Sequence, residues 1–308
     1  MLRPRAQILL PAPPVKLRPT DPAWPIGLAY LTPADRPRQL FVAGALPDLR
    51  GAVAVVGTRY ADEGALAFTH RLAAALARAG RTVISGGAAG IDAAAHRGCL
   101  DGGGRTLAVL ATGLARAYPV HHAGLFTTIA GQGALICEDR DPSQVVASSF
   151  LQRNRLIAAL AESVVVVQAP VRSGALSTAT RARQLCRRLF VVPAAPWDVR
   201  GEGCLALVRS GAQICTSATD VLSVAGSGGR RGSGNTRRRA KEPKDAEELS
   251  ESARALWKLL RRGPRYPDEL SVCLDMPAAR VQEALLTLQL VGRVRRRADG
   301  WYEKTGSP

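Results

Sequence analysis

The sequence predicts an α/β protein with a doubly wound, mostly parallel sheet and a second, smaller domain at its C-terminal end. Two observations support this prediction. Between residues 51 and 223, continuous apolar runs of strand length alternate with helical stretches rich in alanine and leucine, a pattern typical of a parallel sheet covered on both faces. Residues 226–248 then contain no branched or aromatic apolar residue, which predicts a flexible, basic linker to the second domain.

Each element of the larger domain follows from its local pattern. Residues 1–50 are rich in proline and weakly periodic, so we expect an N-terminal arm that leads into the first strand. Gly80 follows the first helical stretch and is a typical helix terminator. The predicted strands are 53–56, 82–85, 107–111, 134–137, 164–168 and 189–193. The predicted helices cover 63–79, 153–161 and 176–188, and a further helix begins at 91.

The C-terminal residues have the pattern of a winged helix. Leu256, Leu259 and Leu260 share one helical face, and Val281 and Leu285 do so in a later helix. A short helix lies between them at 267–274, and a predicted hairpin turns at 298–300. We therefore divide the chain into the arm at 1–50, a main domain at 51–225, a linker at 226–249 and a winged-helix domain at 250–308.

The net charge favours a polyanionic partner. The 308 residues carry 42 Lys and Arg against 25 Asp and Glu, a formal charge of +17. Such an excess suits nucleic acid or an acidic membrane surface. No apolar run approaches the roughly 18 residues of a membrane span, so we expect no membrane partner. The six cysteines form no CxxC pair and have no histidine at ligand spacing, which predicts reduced thiols in a cytoplasmic protein without a metal.

Two loops at strand ends have the composition of a phosphate site. Gly57, Thr58 and Arg59 follow the first strand, and they supply a permissive glycine, a hydroxyl and a guanidinium. The second strand is followed by a loop of small residues that opens a helix, where free N–H groups and the helix dipole favour an anion. Its candidate residues are Ser85, Gly86, Gly87 and Gly90. The alternative is that these glycines only permit a tight turn.

Two further clusters point to single-stranded nucleic acid. Phe150, Arg153, Asn154 and Arg155 combine an aromatic ring with charged and amide donors, as a stacking platform requires. A helix start with Phe150 in the core and Arg153 in solvent is the alternative. The fourth loop, with Ser173 and Gly174, again places small polar residues at a helix start.

The sequence lacks the motifs of nucleotide enzymes. It contains no GxxxxGK[ST] loop, and no GxGxxG follows the first strand. Asp92 and His96 are four residues apart on one helical face, which we interpret as a structural pair and not as a catalytic dyad.

In order along the chain, these motifs resemble the DNA-processing protein A (DprA/Smf) family. The segments that carry the resemblance are AVVGTR, ISGGAAGIDAAAHRGCL, FLQRNRLIAAL, VVVVQAPVRSGALSTA and GCLALVRSGA. The resemblance covers about residues 21–225, and the C-terminal domain resembles the winged helix that many members carry. It implies an extended Rossmann-like fold that binds single-stranded DNA, usually as a homodimer, without a cofactor or catalysis, and that delivers this DNA to the RecA recombinase in transformation or recombination.

The resemblance also assigns the candidate residues. It implies that Arg59 is the leading phosphate clamp, that the glycine loop at 85–90 holds phosphate, and that residues 150–155 line the rest of the groove. Three positions depart from the family pattern, because Leu151 replaces a proline, Gln168 a carboxylate and Ala194 a glycine. Two other functions stay open: a phosphoribohydrolase-like enzyme, and a regulator that binds duplex DNA through arginines on the wing at Arg293 and 295–297.

Overall fold

The structure, a computed structural model, describes residues 7–114, 116–139, 146–225, 250–261, 265, 267–296 and 302–305. The chain separates into two compact units, Met1–Arg230 and Arg231–Pro308. The linker predicted at 226–249 lies outside the described residues.

The first unit is built on a nine-stranded sheet in the order β1-β2-β6-β5-β4-β3-β7-β8-β9. All neighbouring strands from β6 to β9 in this order are parallel, while β2 is antiparallel to both β1 and β6. This confirms the doubly wound, mostly parallel fold. The strands are β1 Val15–Leu17, β2 Leu40–Gly44, β3 Val53–Val56, β4 Val83–Ser85, β5 Thr106–Val109, β6 Ala134–Cys137, β7 Ser163–Val166, β8 Arg188–Val191 and β9 Gln213–Ile214.

Helices cover both faces of the sheet, and the side chains of β3 show why. Ala54 and Val56 pack into a core with helices α4, α5 and α6, whereas Val53 and Val55 face α1, α2 and α7. A strand buried on both faces reads as a continuous apolar run. The helices are α1 Glu63–Arg78, α2 Ile91–Asp101, α3 Ala123–Gln132, α4 Ala147–Leu160, α5 Gly174–Gln184, α6 Glu202–Arg209 and α7 Ala218–Ala225.

Residues 7–50 do not form the N-terminal arm that we predicted for residues 1–50. They contribute β1 and β2 to the sheet, and Leu28, Leu31 and Leu40 are buried in its main core. Four of the five residues of β2, Phe41 to Gly44, pair with β6. The prediction failed because prolines around these short strands obscure the period of the apolar residues.

The second unit is a winged helix, as predicted. It contains α8 Glu251–Leu260, α9 Pro267–Leu274, α10 Ala278–Leu290 and an antiparallel hairpin of β10 Val294–Arg296 and β11 Tyr302–Lys304. Leu256, Leu260, Val281 and Leu285 form its core. The predicted hairpin turn at 298–300 and Arg297 lie outside the described residues.

Four of the six cysteines are free thiols, as expected from the sequence. Cys99, Cys137, Cys204 and Cys215 are all buried in the first unit. Within the described part of the chain, no helix combines the length and the apolar character needed to cross a bilayer.

Candidate nucleic-acid interface

A groove of about 820 Å³ lies at the carboxyl edge of the sheet. It forms here because the loops that follow parallel strands meet at one edge. The groove is lined by the loops after β3, β5 and β7, by the start of α4 and by two residues that follow β4. The predicted site residues among its lining are Gly57, Thr58, Arg59, Asp92, Phe150, Arg153, Asn154, Ser173 and Gly174.

Arg59 and two aromatic rings form a cluster at the groove. The Arg59 guanidinium carbon lies 5.3 Å from the centre of the Phe150 ring, a cation–π distance. The Tyr118 ring is 5.4 Å from Phe150 and tilted by 51°. Phe150 is half-buried while Arg59 and Tyr118 are exposed. The cluster therefore offers a charged donor and aromatic surface side by side.

The loop after β7 is organised by side chains that cap its helix. Ser173 is the N-cap of α5, and its hydroxyl accepts a hydrogen bond from the Ala175 N–H at 3.2 Å. The Asn154 amide donates to the Gly174 carbonyl at 3.1 Å. Asn154 thus fixes the position of this loop from α4. A methyl group on Gly174 would meet open space, so this glycine is not required by close packing.

The glycine loop after β4 faces inward and already holds a side-chain carboxyl group. The Gly86 and Ala88 N–H groups donate to one carboxylate oxygen of Asp92, at 3.2 and 3.3 Å. The Ser85 hydroxyl donates to the Val55 carbonyl at 2.7 Å. Ser85, Gly86, Gly87 and Gly90 do not line the groove. The Gly86 and Ala88 N–H groups therefore bind the protein's own Asp92, where the sequence predicted a phosphate.

Arg153 is an internal residue and not an exposed clamp. It is only 6% exposed, and its guanidinium donates to the Gly86 carbonyl at 2.7 Å and also to the Val109 carbonyl. Burial lowers the pKa of Arg153 to about 10, although the charge of Asp92 opposes that shift. Burial likewise raises the pKa of Asp92 against the attraction of Arg153. The two buried groups attract each other electrostatically, and both line the groove.

Arg155 lies outside the groove. Its guanidinium makes two hydrogen bonds to the Glu138 carboxylate, at 2.6 and 2.8 Å, and one to the Asp35 carbonyl at 2.8 Å. It is 4% exposed. A phosphate would have to displace a bidentate ion pair, so the structure gives Arg155 a packing role between α4 and its neighbours.

Asp92 and His96 have different partners. His96 Nδ1 lies 2.7 Å from the Thr106 hydroxyl, which itself donates to the Val83 carbonyl. The ring nitrogen is therefore the donor in the first of these bonds. Burial lowers the pKa of His96 to about 3, so the ring is neutral at physiological pH. Asp92 and His96 therefore do not form the predicted side-chain pair. Asp92 accepts from the N–H groups of the glycine loop, whereas His96 binds Thr106.

Several residues that line the groove were not predicted from the sequence. Arg116 and Tyr118 come after β5, and Arg172 comes after β7; all three are exposed and line the groove. The signal was available, because each follows a parallel strand at its carboxyl end. Leu151, one of the departures from the family pattern, also lines the groove and is 50% exposed. Within the described ranges, no group of three His, Cys, Asp or Glu residues could hold a metal ion.

Comparison with known proteins gives the same assignment over most of the chain. The family model described as DNA recombination-mediator protein A matches residues 16–226, and the DprA winged helix domain model matches residues 240–300. The chain belongs to the DNA recombination-mediator protein A family.

Individual members of the DNA recombination-mediator protein A family show how far the similarity extends. The chain is 39% identical over 251 residues to a putative DNA processing protein DprA of Mycobacterium tuberculosis, covering 81% of this chain and 64% of that protein. It is 38% identical over 218 residues to protein Smf of Synechocystis, covering 69% and 54%. The chain thus spans between half and two thirds of the length of these relatives.

Two solved structures of the family share the fold. The DprA structure from Streptococcus pneumoniae has a TM-score of 0.63 at 33% identity, covering 68% of this chain and 73% of that one. A structure from Helicobacter pylori has a TM-score of 0.62 at 27% identity, covering 71% and 97%. The latter is described as showing the single-stranded DNA binding mode of DNA processing protein A from that organism.

Proposed function

We propose that this protein binds single-stranded DNA in the groove at the carboxyl edge of its sheet and acts in DNA processing during recombination. The observation that carries the proposal is the cluster of Arg59 over Phe150 beside Tyr118. Single strands expose both phosphates and unstacked bases, and a groove that combines arginines with aromatic rings suits both. Membership of the DNA recombination-mediator protein A family supports the same function.

The proposal places the phosphate contacts on a smaller set of residues than the sequence suggested. Arg59, Arg116 and Arg172 line the groove and are exposed. Thr58 and Ser173 supply hydroxyl groups, and Phe150 with Tyr118 supplies the stacking surface. Arg153 and Asn154 then act as supports from below, because their polar groups are bonded to backbone carbonyls.

The winged helix is not the main DNA site in this proposal. The outward side of α10 includes Leu286 and Leu290, which are 57% and 79% exposed, with Arg280 and Glu283 as its exposed charges. Arg295 on the hairpin pairs with Glu303 at 2.7 Å. Duplex DNA binding favours clustered positive charge on such an element. The outward side of α10 instead combines one arginine with one glutamate and two leucines.

The remaining parts of the proposal rest on family membership. We propose that the protein protects single strands, transfers them to the RecA recombinase in recombination or natural transformation, and does so as a cytoplasmic homodimer without catalysis or a cofactor.

Binding of a labelled single-stranded 30-mer, followed by fluorescence anisotropy over a range of salt concentrations, tests the proposal. We expect saturable binding that is stronger for 30-mers than for 6-mers and that weakens with salt at a log–log slope of about −0.7 for each phosphate contacted. No binding at moderate salt would contradict the proposal.

A variant ending at Ala225 separates the main domain from the winged helix. It should retain most of the single-strand affinity of the full chain. Loss of all DNA binding in this variant, with its helical circular dichroism signal intact, would instead assign DNA binding to the C-terminal domain.

A further inference from the structure

The loop that carries Arg59 is held at both ends by a single residue, Gln168. Next to β7, the Gln168 carbonyl accepts a hydrogen bond from the Thr58 N–H at 2.7 Å. Its side-chain oxygen accepts from the Asp62 N–H at 3.2 Å, and its side-chain amide donates to the Asp62 carboxylate at 2.6 Å. Arg59 therefore lies on a short loop whose two ends are tied to the same residue.

The side-chain amide of Gln168 also lies between two carboxylates and donates a hydrogen bond to each. It is 5% exposed, and its amide donates to Asp198 at 3.1 Å as well as to Asp62. Arg200 completes the cluster, with contacts of 3.3 Å to Asp62 and 3.0 Å to Asp198. A carboxylate has no N–H to donate, so only an amide satisfies both neighbours and the Asp62 N–H at once.

The two carboxylates are in the charged form that this arrangement needs. The Ala65 N–H, followed by the Gln168 amide, lowers the pKa of Asp62, and a hydrogen bond from Arg200 lowers the pKa of Asp198. Both are therefore ionised at neutral pH and accept from Gln168.

We propose that Gln168 is a positioning residue for nucleic-acid binding, which acts through Arg59 by holding residues 58–62 so that the guanidinium stays over Phe150. Gln168 itself does not line the groove, whereas Gly57, Thr58, Arg59 and Tyr60 all do. This inference rests on the proposed function of the groove.

The substitution Gln168→Glu tests the donor. It preserves size but replaces the amide with a third carboxylate, and we expect about tenfold weaker binding of the single-stranded 30-mer at pH 8, the size of one lost charge-assisted hydrogen bond. The charged groups facing residue 168 are Asp62 from the β3–α1 loop and Asp198 and Arg200 from the loop after β8. A protonated glutamic acid can donate again, so the deficit relative to wild type should shrink as the pH falls to 5.5.

The double variant Asp62→Asn with Gln168→Glu exchanges the amide and the carboxylate. Asparagine also caps helices well, so α1 keeps an acceptor for the Ala65 N–H. The hydrogen bond between residues 62 and 168 reforms with its polarity reversed. We expect this pair to recover at least half of the lost affinity on a logarithmic scale, a rescue that general destabilisation would not produce.

Combination with Arg59→Ala tests the route of the effect. If Gln168 acts through Arg59, adding Gln168→Glu to Arg59→Ala should cost less than a further twofold in affinity. Additive tenfold losses, or a single Gln168→Glu variant that binds like wild type at pH 8, would overturn the inference.

Wild-type binding in the same assay keeps the two proposals separate. Absence of wild-type binding contradicts the proposed function, while the outcomes above judge Gln168 alone. Melting temperatures of all variants are recorded. If Gln168→Glu does not fold, Gln168→Met takes its place, and wild-type affinity in that variant would equally overturn the inference.

Discussion

Two loops after neighbouring strands look alike in sequence but face opposite ways in the structure. The loop after β3 presents Thr58 and Arg59 to the groove, whereas the loop after β4 turns its N–H groups onto Asp92. Both begin with glycine, and both are followed by a helix. The difference shows that an anion-binding loop need not bind an external anion, because an acidic residue in the first turn of the following helix can satisfy the same donors.

The comparison is tested most strongly by Asp92→Ala. This change removes the group whose negative charge attracts the buried Arg153, and it leaves two N–H groups without their acceptor, so we expect a loss of roughly 3–5 kcal/mol in the free energy of unfolding. Urea denaturation measures it. Asp101→Ala, at the exposed end of the same helix, is the matched control and should cost about 0.5 kcal/mol or less. A D92A protein as stable as the control would mean that the loop does not depend on its internal anion.

His96, on the helix that follows the second loop, should affect how stability depends on pH. Because the folded pKa of His96 is about 3, the unfolded chain binds the proton more readily, and stability is lost as the pH falls from about 6.5 towards 3. The slope from this group approaches about 1.4 kcal/mol per pH unit. Asp92, with its raised pKa, contributes with the opposite sign. Denaturation of His96→Gln at several pH values should give a shallower acid limb, and an unchanged limb would contradict the assignment.

The outward loop should affect DNA affinity and leave stability nearly unchanged. Arg59→Ala removes one exposed guanidinium from the groove, and we expect at least tenfold weaker binding of the single-stranded 30-mer, about 1.4 kcal/mol, with a change in unfolding free energy of about 0.5 kcal/mol or less. Arg78→Ala, in the last turn of α1, removes the same charge elsewhere on the surface. Equal losses in the two variants would indicate a diffuse charge effect.

The smallest expected effect is that of Gly174→Ala, which we compare with the same substitution at Gly87. A methyl group on Gly174 meets open space, whereas one on Gly87 would lie 2.6 Å from the Phe126 ring at a φ of +74°. Gly174→Ala should therefore change both stability and affinity by about 0.5 kcal/mol or less. Gly87→Ala should lower the melting temperature clearly. Thermal unfolding followed by circular dichroism distinguishes the two, and a large loss from Gly174→Ala would show that the loop after β7 needs a bare backbone.

The sequence was sufficient to predict the sheet but not the environment of its charged residues. The apolar runs of β3 to β8 have the length and continuity of buried strands, so the parallel sheet and its covering helices could be predicted. Burial of Arg153 and Arg155 could not be predicted, because their partners Asp92 and Glu138 are distant along the chain. In sequence, the two arginines of RNR look like exposed cations beside Phe150.

Other errors have equally physical causes. The strands β1 and β2 are short and lie among prolines, so no period marks them. They join the sheet because β2 pairs with β6 and β1 pairs with β2. Tyr118 was overlooked because one tyrosine before a proline carries no motif. Tyr118 matters because its ring lies 5.4 Å from the Phe150 ring. Only the folded chain brings these two rings together.

The Asp92 side chain at the groove has a consequence for the energetics of ligand binding. Because the glycine loop is already closed around this residue, the loop is ordered before any ligand arrives. A strand that binds above it therefore meets a preorganised surface and does not lose affinity to the ordering of backbone beneath it. The entropy of that ordering is already included in the folding of the free protein. Association should consequently be fast and depend mainly on electrostatic encounter, with little conformational adjustment on the side of the protein.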